Sequence, residues 1–464
     1  MRKIKVGYLP FYIKLYDDSD PHARDPMVEY MQSLVAILRS QGLDVILADE
    51  VCRVKEEFDR AAEKFNAIGV DAVITHHLAY SPSMESIDAL LSLKAPIVVL
   101  DTTPSYELAS VAQYEDRIHC NHGIHGVQDM CNLLRRNDRP YYLCVGHALH
   151  SDVISDVIGM CRAAAAARSF REETVGAVGG EFAGMGDFSI PDERYKNEIG
   201  VNVKYLTPEI AKKYMNQVTE AEIEEDIAKN ARSYNVQVES RENYRAAIKS
   251  GLAVRKWMDE EKIQAVTINF LHLDISGLQK MPFVECCKIL ERGKGYAGEG
   301  DKLTAGLVGA LIDVWPNTTF TEMFCPDWER DLILLSHMGE SNPNLAQWKP
   351  LITDKAFHFN SSGDTVAMYS CYRPGKVVLV NLAPLRSGFQ LILTETEIVS
   401  EGLERGIYSR ATQGWMRPCK PIREFLKDYS IAGGTHHSAM VYDGKIEELA
   451  SFGEMMGFHV IVLR

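Results

Sequence analysis

Asp71-Ala-Val-Ile-Thr75, then Met84-Glu-Ser-Ile-Asp-Ala-Leu-Leu-Ser92, then Pro96-Ile-Val-Val-Leu-Asp101 is the stretch that sets the fold class. Two short β-branched runs flank a segment with helical spacing of its apolar residues, which is the strand–helix–strand unit of a parallel sheet. Toward the amino end the alternation continues, with strands at Ile4–Leu9 and Asp44–Ala48 and helices at Met27–Leu43 and Val54–Ile68. Toward the carboxyl end come strand Tyr141–Gly146 and a helix through Ala163–Ala167. The pattern restarts at strand Thr174–Gly179 and runs on through helical Glu220–Ser233 and Arg241–Glu261, strand Gln264–Asn269 and helix Pro282–Arg292. A glycine-rich loop, Gly293–Gly300, then leads into helix Leu303–Val314.

After about residue 327 strands follow one another at Val366–Tyr372, Lys376–Leu382 and Gln390–Ser400, and a single helix, Lys445–Met456, precedes the last strand, His459–Leu463. Strands without intervening helices imply an antiparallel sheet or small barrel. The expected fold class is therefore α/β, with two Rossmann-like α/β domains over 1–170 and 171–326, followed by a C-terminal antiparallel β-barrel-like domain over 327–464. A chain of 464 residues is long enough for three such domains.

Composition excludes several function classes. The charge balance of 50 Lys+Arg against 64 Asp+Glu, −14 overall, opposes a nucleic-acid or anionic-membrane partner, because both need a cationic surface. No apolar run approaches the eighteen or more residues of a membrane span, and Met1-Arg-Lys-Ile-Lys5 does not begin a signal-peptide core, so a cytoplasmic location is expected. The ten cysteines include no Cys-x-x-Cys pair, which leaves a zinc ribbon, a redox dithiol and a disulfide framework without support.

Gly293-Lys-Gly-Tyr-Ala-Gly298 matches the dinucleotide-binding string, but Val284–Arg292 before it has helical spacing where that motif needs a strand. A glycine loop that lets backbone approach something closely is the better reading. Histidines gather at His119, His122 and His125, at His147 and His150, and at His436 and His437. His122 and His125 share a face if helical, where they can ligate a metal or donate into a pocket. In an extended segment His436 and His437 point oppositely, so only one of them is expected to face a given site. Glu299 sits between two glycines just before a helix, Glu322 lies among the apolar neighbours of Phe320–Phe324, and His337 closes the apolar run Leu332–Leu335. A carboxylate among apolar residues is costly unless bonded or metal-bound, which makes these candidates for chemistry.

Gly295-Tyr-Ala-Gly-Glu-Gly-Asp-Lys-Leu-Thr-Ala305, Phe320-Thr-Glu322, Leu335-Ser-His-Met338 and Ala432-Gly-Gly-Thr-His-His437, in this order, resemble the L-arabinose isomerase family of the arabinose/fucose isomerase superfamily. Leu15-Tyr16, Asn121–Gly126, Gly146-His147, Gly277-Leu278 and Met281-Pro282 add weaker matches, so the resemblance spans nearly the whole chain. It implies that Glu299, Glu322, His337 and His437 ligate one divalent metal, usually Mn²⁺, a donor set suited to a borderline-hard cation. It also implies aldose–ketose isomerisation through an enediol(ate), L-arabinose to L-ribulose by default, with Glu299 and Glu322 as the catalytic carboxylates and the cation polarising substrate oxygens.

By the same resemblance Leu15, Tyr16, His122, His125, His272 and His436 line the sugar pocket. His125 is expected from an adjacent subunit of a homo-oligomer, a trimer or hexamer. Three positions depart from the family: Ile13 and His122 stand where glutamines are expected, and His272 stands for a phenylalanine. These changes spare the ligand set and alter the sugar-facing wall, which keeps another pentose, hexose or deoxy sugar open as substrate. A non-catalytic sugar-binding paralogue is the competing class, and its mark, loss of a ligand residue, is absent from the sequence.

Overall fold

Short β-branched runs become the strands of a parallel sheet at the amino end: β1 (Lys5–Phe11), β2 (Asp44–Leu47), β3 (Ala72–His77), β4 (Ile97–Asp101) and β5 (Tyr141–Val145), in the order β2-β1-β3-β4-β5. The computed structural model describes residues 2–110, 118–400 and 414–464. The chain divides into two compact units, Arg2–Arg168 and Ser169–Arg464. In the first, the inward residues of β1, β3 and β4 meet Phe58, Phe65, Leu90, Met130 and Leu134 of the flanking helices in one apolar core. The sheet order reverses direction between β1 and β3, and the carboxyl ends of those strands form the crevice where such sheets take ligands.

The second unit begins with another parallel sheet. β6 (Thr174–Val178), β7 (Asn202–Leu206), β9 (Ala265–Ile268) and β10 (Gly295–Gly298) run in the order β10-β9-β6-β7, while β8 (Asn235–Gln237) pairs elsewhere. The segment expected as a glycine loop thus contains a strand. Glycine is required there by packing: a Cβ on Gly295 would stand 2.5 Å from the Gly309 nitrogen of the adjacent helix. That helix, Lys302–Val314, is buried on nearly every residue, because it is apolar all round and covered on all sides. It packs against β6, β9 and β10 on one side and against the later strands Thr318–Asp327 and His437–Val441 on the other, so it joins the sheet to the next layer.

That layer is a closed antiparallel barrel. β11 (Thr318–Asp327) and β12 (Leu332–Ser336) open it, and the change of texture near residue 327 falls at the end of β11. β13 (Leu351–Lys355) and β14 (Thr365–Tyr369) form a side sheet with β8. The barrel continues with β15 (Gly375–Pro384), β16 (Phe389–Val399), β17 (Gly414–Arg417) and β18 (His437–Val441). Its order β15-β18-β11-β12-β17-β16 closes through a direct β15–β16 pairing, and β19 (His459–Leu463) adds to β16 in parallel. Alternate residues Ile333, Leu335, Val377, Leu379, Ile392, Ile398, Met416 and Met440 share one apolar cluster. Two helices, not one, follow β12 among the described residues: Ile422–Ile431 joins Ile446–Met456, with Ile422, Phe425 and Tyr429 buried at helical spacing.

The cysteines of the described residues are free, as the absence of paired spacings suggests. Among the described residues no helix is long and apolar enough to cross a membrane.

Candidate active site

The site in the second unit is assembled where the carboxyl end of β10 meets the barrel. Glu299 follows β10 directly and holds a left-handed backbone, φ 61°, which costs a non-glycine residue of order 1 kcal/mol and is kept only where surroundings dictate it. Its N–H donates to the Ile268 carbonyl at 3.0 Å, and its own carbonyl accepts from Phe182 N–H at 3.1 Å. The flanking glycines are explained by what they touch. A Cβ on Gly298 would lie 2.6 Å from the His337 ring, and one on Gly300, itself at φ +79°, would lie 2.3 Å from the Gly180 carbonyl oxygen.

His337 leaves the end of β12 and His437 begins β18, the two strands that flank β11. In the ladder Glu322 stands opposite Ser336 on one side and His437 on the other. Ligand atoms of Glu299, His337 and His437 come within 4.8 Å of one another; Glu322 lies outside that tightest trio but interacts electrostatically with all three.

Both imidazoles are fixed through Nδ1. His337 Nδ1 donates to Glu340 Oε2 at 2.8 Å, and Glu340 also accepts from the Tyr296 hydroxyl at 3.0 Å. His437 Nδ1 donates to Asp301 Oδ2 at 3.0 Å, while Asp301 Oδ1 accepts from Thr304 N–H at 2.8 Å and so caps the buried helix. This leaves His437 Nε2 buried without a hydrogen-bond partner among the described residues, a costly state for a polar atom. A carboxylate on one ring nitrogen with the other nitrogen bare and inward is how metal-binding histidines are held. Together with Glu299 they supply N, N and O donors that fit a divalent cation.

The turn that delivers the histidines is built by close contacts. Gly433 is left-handed at φ +75°, and a Cβ on Gly434 would strike the Tyr429 ring at 2.4 Å. The Tyr429 hydroxyl donates to the Thr435 carbonyl at 2.6 Å, and Asn381 Nδ2 donates to the His437 carbonyl at 2.7 Å. Because His436 precedes β18, the alternation of an extended strand does not separate the pair: both Nε2 atoms stand 3.6 Å from Glu299 Oε2. The expectation that only one faces the site is thereby corrected. His436 Nδ1 donates to Asp187 Oδ2 at 2.6 Å.

Electrostatics separate the two glutamates. Burial disfavours charge on Glu299, but the neighbouring imidazoles of His436, His337 and His437 hold its carboxyl below the ordinary range. Burial pushes Glu322 up, and the imidazoles only partly offset it. Burial also opposes charge on His436, yet the Asp187 and Glu299 carboxylates raise it to about 10.

His272 sits just past β9, with Nδ1 donating to the Gly179 carbonyl at 2.9 Å. In the first unit Tyr16, His119, His122 and His125 come together at the carboxyl end of the sheet. The Tyr16 hydroxyl and His122 Nε2 are 3.2 Å apart, the His122 and His125 rings 5.3 Å, and His125 stacks on Tyr80 at 4.7 Å. Leu15 beside them is 62% exposed. His147, half-buried, and His150, exposed, form a separate pair against Tyr106, with rings 4.9 Å apart.

Sequence reading missed four residues here. Asp301 and Tyr296 were inside a quoted motif without a role, and Glu340 stood three positions after His337, a spacing that pairs side chains in a turn. Asp187 carried no local signal, since its partner is far away in sequence.

The family model described as the L-arabinose isomerase central domain matches residues 194–314, and that for the L-arabinose isomerase C-terminal domain matches residues 317–459; together they span more than half of the chain. An L-arabinose isomerase of Aeromonas salmonicida is 24% identical over 83% of this chain and 79% of its own. One from Clostridium beijerinckii is 26% identical, covering 84% and 80%. One from a Nocardioides species is 25% identical, covering 96% and 91%.

Proposed function

Since this chain belongs to the L-arabinose isomerase family as a divergent member, we propose that it interconverts L-arabinose and L-ribulose with a divalent cation, Mn²⁺, held by Glu299, Glu322, His337 and His437. The reaction class is aldose–ketose isomerisation, an intramolecular redox change. The C2 proton of the open-chain aldose is taken by a carboxylate and returned to C1, while the O2 hydroxyl proton passes to O1, so no atom is gained or lost. The cation's contribution is to polarise the two substrate oxygens.

The chain's own residues carry the rest. Glu299 and Glu322 are pushed in opposite directions, the condition under which one group accepts a proton while its neighbour holds one. Phe188 and Phe320 pack on the His437 ring at 5.4 and 4.9 Å and keep water from its sides. The reading rests above all on the paired fixation of His337 and His437 by buried carboxylates, with Nε2 of His437 bare and directed at Glu299.

The chain acts as a homo-oligomer, a trimer or hexamer, in the cytoplasm, with Leu15, Tyr16 and His122 near the sugar and His125 supplied by an adjacent subunit. A second reading keeps the chemistry and changes the sugar to another pentose, hexose or deoxy sugar. It is favoured by His272: with Nδ1 committed to Gly179, its Nε2 is left to bond a hydroxyl. A panel of aldoses incubated with Mn²⁺ and scored for ketose tests both. Conversion of L-arabinose ahead of the others supports the first reading, preference for another aldose supports the second, and no ketose from any member refutes both.

A further inference from the structure

The segment between β6 and the helix Asp192–Glu198 arches over the site and is tied down at both feet. At its base Lys302, buried at the start of the central helix, pairs with Glu181 Oε1 at 2.9 Å and with Asp192, and its Nζ also donates to the Ile190 carbonyl at 3.4 Å. Ser189 Oγ donates to Glu181 Oε2 at 2.5 Å, which closes the arch on itself. Between the feet, Gly184 at φ +95° and Gly186 have open space beside them. The far side of the arch carries Asp187 and Phe188 onto the two histidines. Phe188 lies nearly parallel to the His437 ring, at 10° and 5.4 Å.

One oxygen of Asp187 accepts two bonds from the same residue: His436 N–H at 3.0 Å and His436 Nδ1 at 2.6 Å. Two bonds to one acceptor fix both the backbone position and the ring rotation of His436. With Nδ1 taken, Nε2 is the only ring atom left for the site, and it stands 3.6 Å from Glu299 Oε2. Phe188 also contacts the His436 ring, at 5.6 Å, and the His437 ring lies 4.1 Å from it.

We propose that Asp187 is a positioning residue for the isomerisation: by binding the backbone N–H and Nδ1 of His436 together, it holds Nε2 beside Glu299, where it meets a substrate oxygen. The arch is then a working wall of the site and not a mere connection. The proposal rests on the isomerase reading for its consequence and on the geometry for its substance. A purely structural Asp187 would brace the Gly433–His437 turn, and its loss would loosen His437 as well as His436.

The test is a double-mutant cycle on the Mn²⁺-loaded enzyme with Asp187→Ala, Asp187→Asn, His436→Ala and the double Asp187→Ala/His436→Ala. Asp187→Ala is expected to lower kcat about 10- to 100-fold, the scale for losing a partner that orients a site imidazole, with Mn²⁺ affinity by chelator competition unchanged. Asp187→Asn, whose amide oxygen still accepts, should recover part of the loss, and the double variant should be no slower than His436→Ala. Losses that multiply in the double variant, or Mn²⁺ affinity that falls with kcat, overturn it.

A readout without turnover separates this from the sugar assignment. In Mg²⁺-loaded protein labelled with ¹⁵N-histidine, His436 should carry a proton on Nδ1 in the wild type and lose that preference in Asp187→Ala. A wild-type Nδ1 without a proton refutes the positioning role even if isomerase activity is found. An aldose panel with no product refutes the sugar reading and leaves the ring signature to decide this one.

Discussion

The two units each gather histidines, and they treat them in opposite ways. In the second unit His337 and His437 are buried, each with Nδ1 bonded to a buried carboxylate, Glu340 and Asp301. In the first unit His122 and His125 are held by rings, Tyr16 and Tyr80, with no carboxylate on either nitrogen in the described contacts. The difference shows in their charge: neighbouring carboxylates raise His337 against the pull of burial, whereas burial lowers His122. A carboxylate on Nδ1 fixes the tautomer and ring orientation and makes the other nitrogen a better donor; a packed ring fixes the imidazole's position without doing either. What a histidine does is told by its nitrogen partners more than by its neighbours in sequence.

That contrast can be broken from either side. The largest effect is expected at the carboxylate the paired imidazoles face: Glu299→Gln should reduce ketose formation by about a thousandfold or more, with an unchanged circular dichroism spectrum. Full activity in that variant would sink the assignment. Removal of metal by EDTA should lower the melting temperature, since a ligand at about a hundred times its Kd contributes roughly 2.7 kcal/mol to the native state; a superimposable melting curve argues against a metal centre. Glu340→Gln should then weaken Mn²⁺ binding about 10- to 100-fold, measured by chelator competition, because the amide no longer anchors His337 Nδ1 as a charged acceptor.

The first unit should answer differently. Its buried His76 and His77 are pushed down by burial to about 4 and about 3, and the His77 nitrogens have no hydrogen-bond partner among the described residues. An unfolded histidine takes its proton near pH 6.5, while these remain neutral when folded. Their stabilisation is thus full above pH 6.5 and is lost as pH falls toward 4 and then 3, at up to about 1.4 kcal/mol per pH unit for each. Thermal melts across that window should show the loss, and His77→Leu should flatten it; equal slopes in the two proteins would refute the account. The smallest effect is expected from His122→Phe, a rise of KM by less than about tenfold with Mn²⁺ affinity untouched, as suits a wall residue contributing about one hydrogen bond.

How far the sequence reveals these arrangements depends on the range of the forces involved. The parallel sheets and the β-rich end were legible because strand and helix periodicities are local. Gly298-Glu299-Gly300-Asp301 was legible as a motif because three steric demands, on His337, on the Gly180 backbone and on the helix cap, fall within four positions. β10 was not, since its glycines serve the close approach of the next helix and suppress the usual strand signal. Helix Ile422–Ile431 had a readable pattern, with Ile422, Phe425 and Tyr429 on one face, hidden among charges. Asp187 was illegible on principle, because its bond to His436 spans 249 residues.

The row Ser336–Glu322–His437 across β12, β11 and β18 is worth following into the chain's history. Adjacent strands in a ladder are about 4.8 Å apart whatever joins them, so the barrel acts as a ruler that spaces Glu322 from Ser336 and from His437. Loops between those strands can lengthen or shorten across homologues without moving a single tick of the scale. A one-residue slip in β11, by contrast, would send Glu322 to the opposite face at a stroke. Divergence of about three residues in four from known L-arabinose isomerases is therefore compatible with an undisturbed centre, provided the register of three short strands is kept.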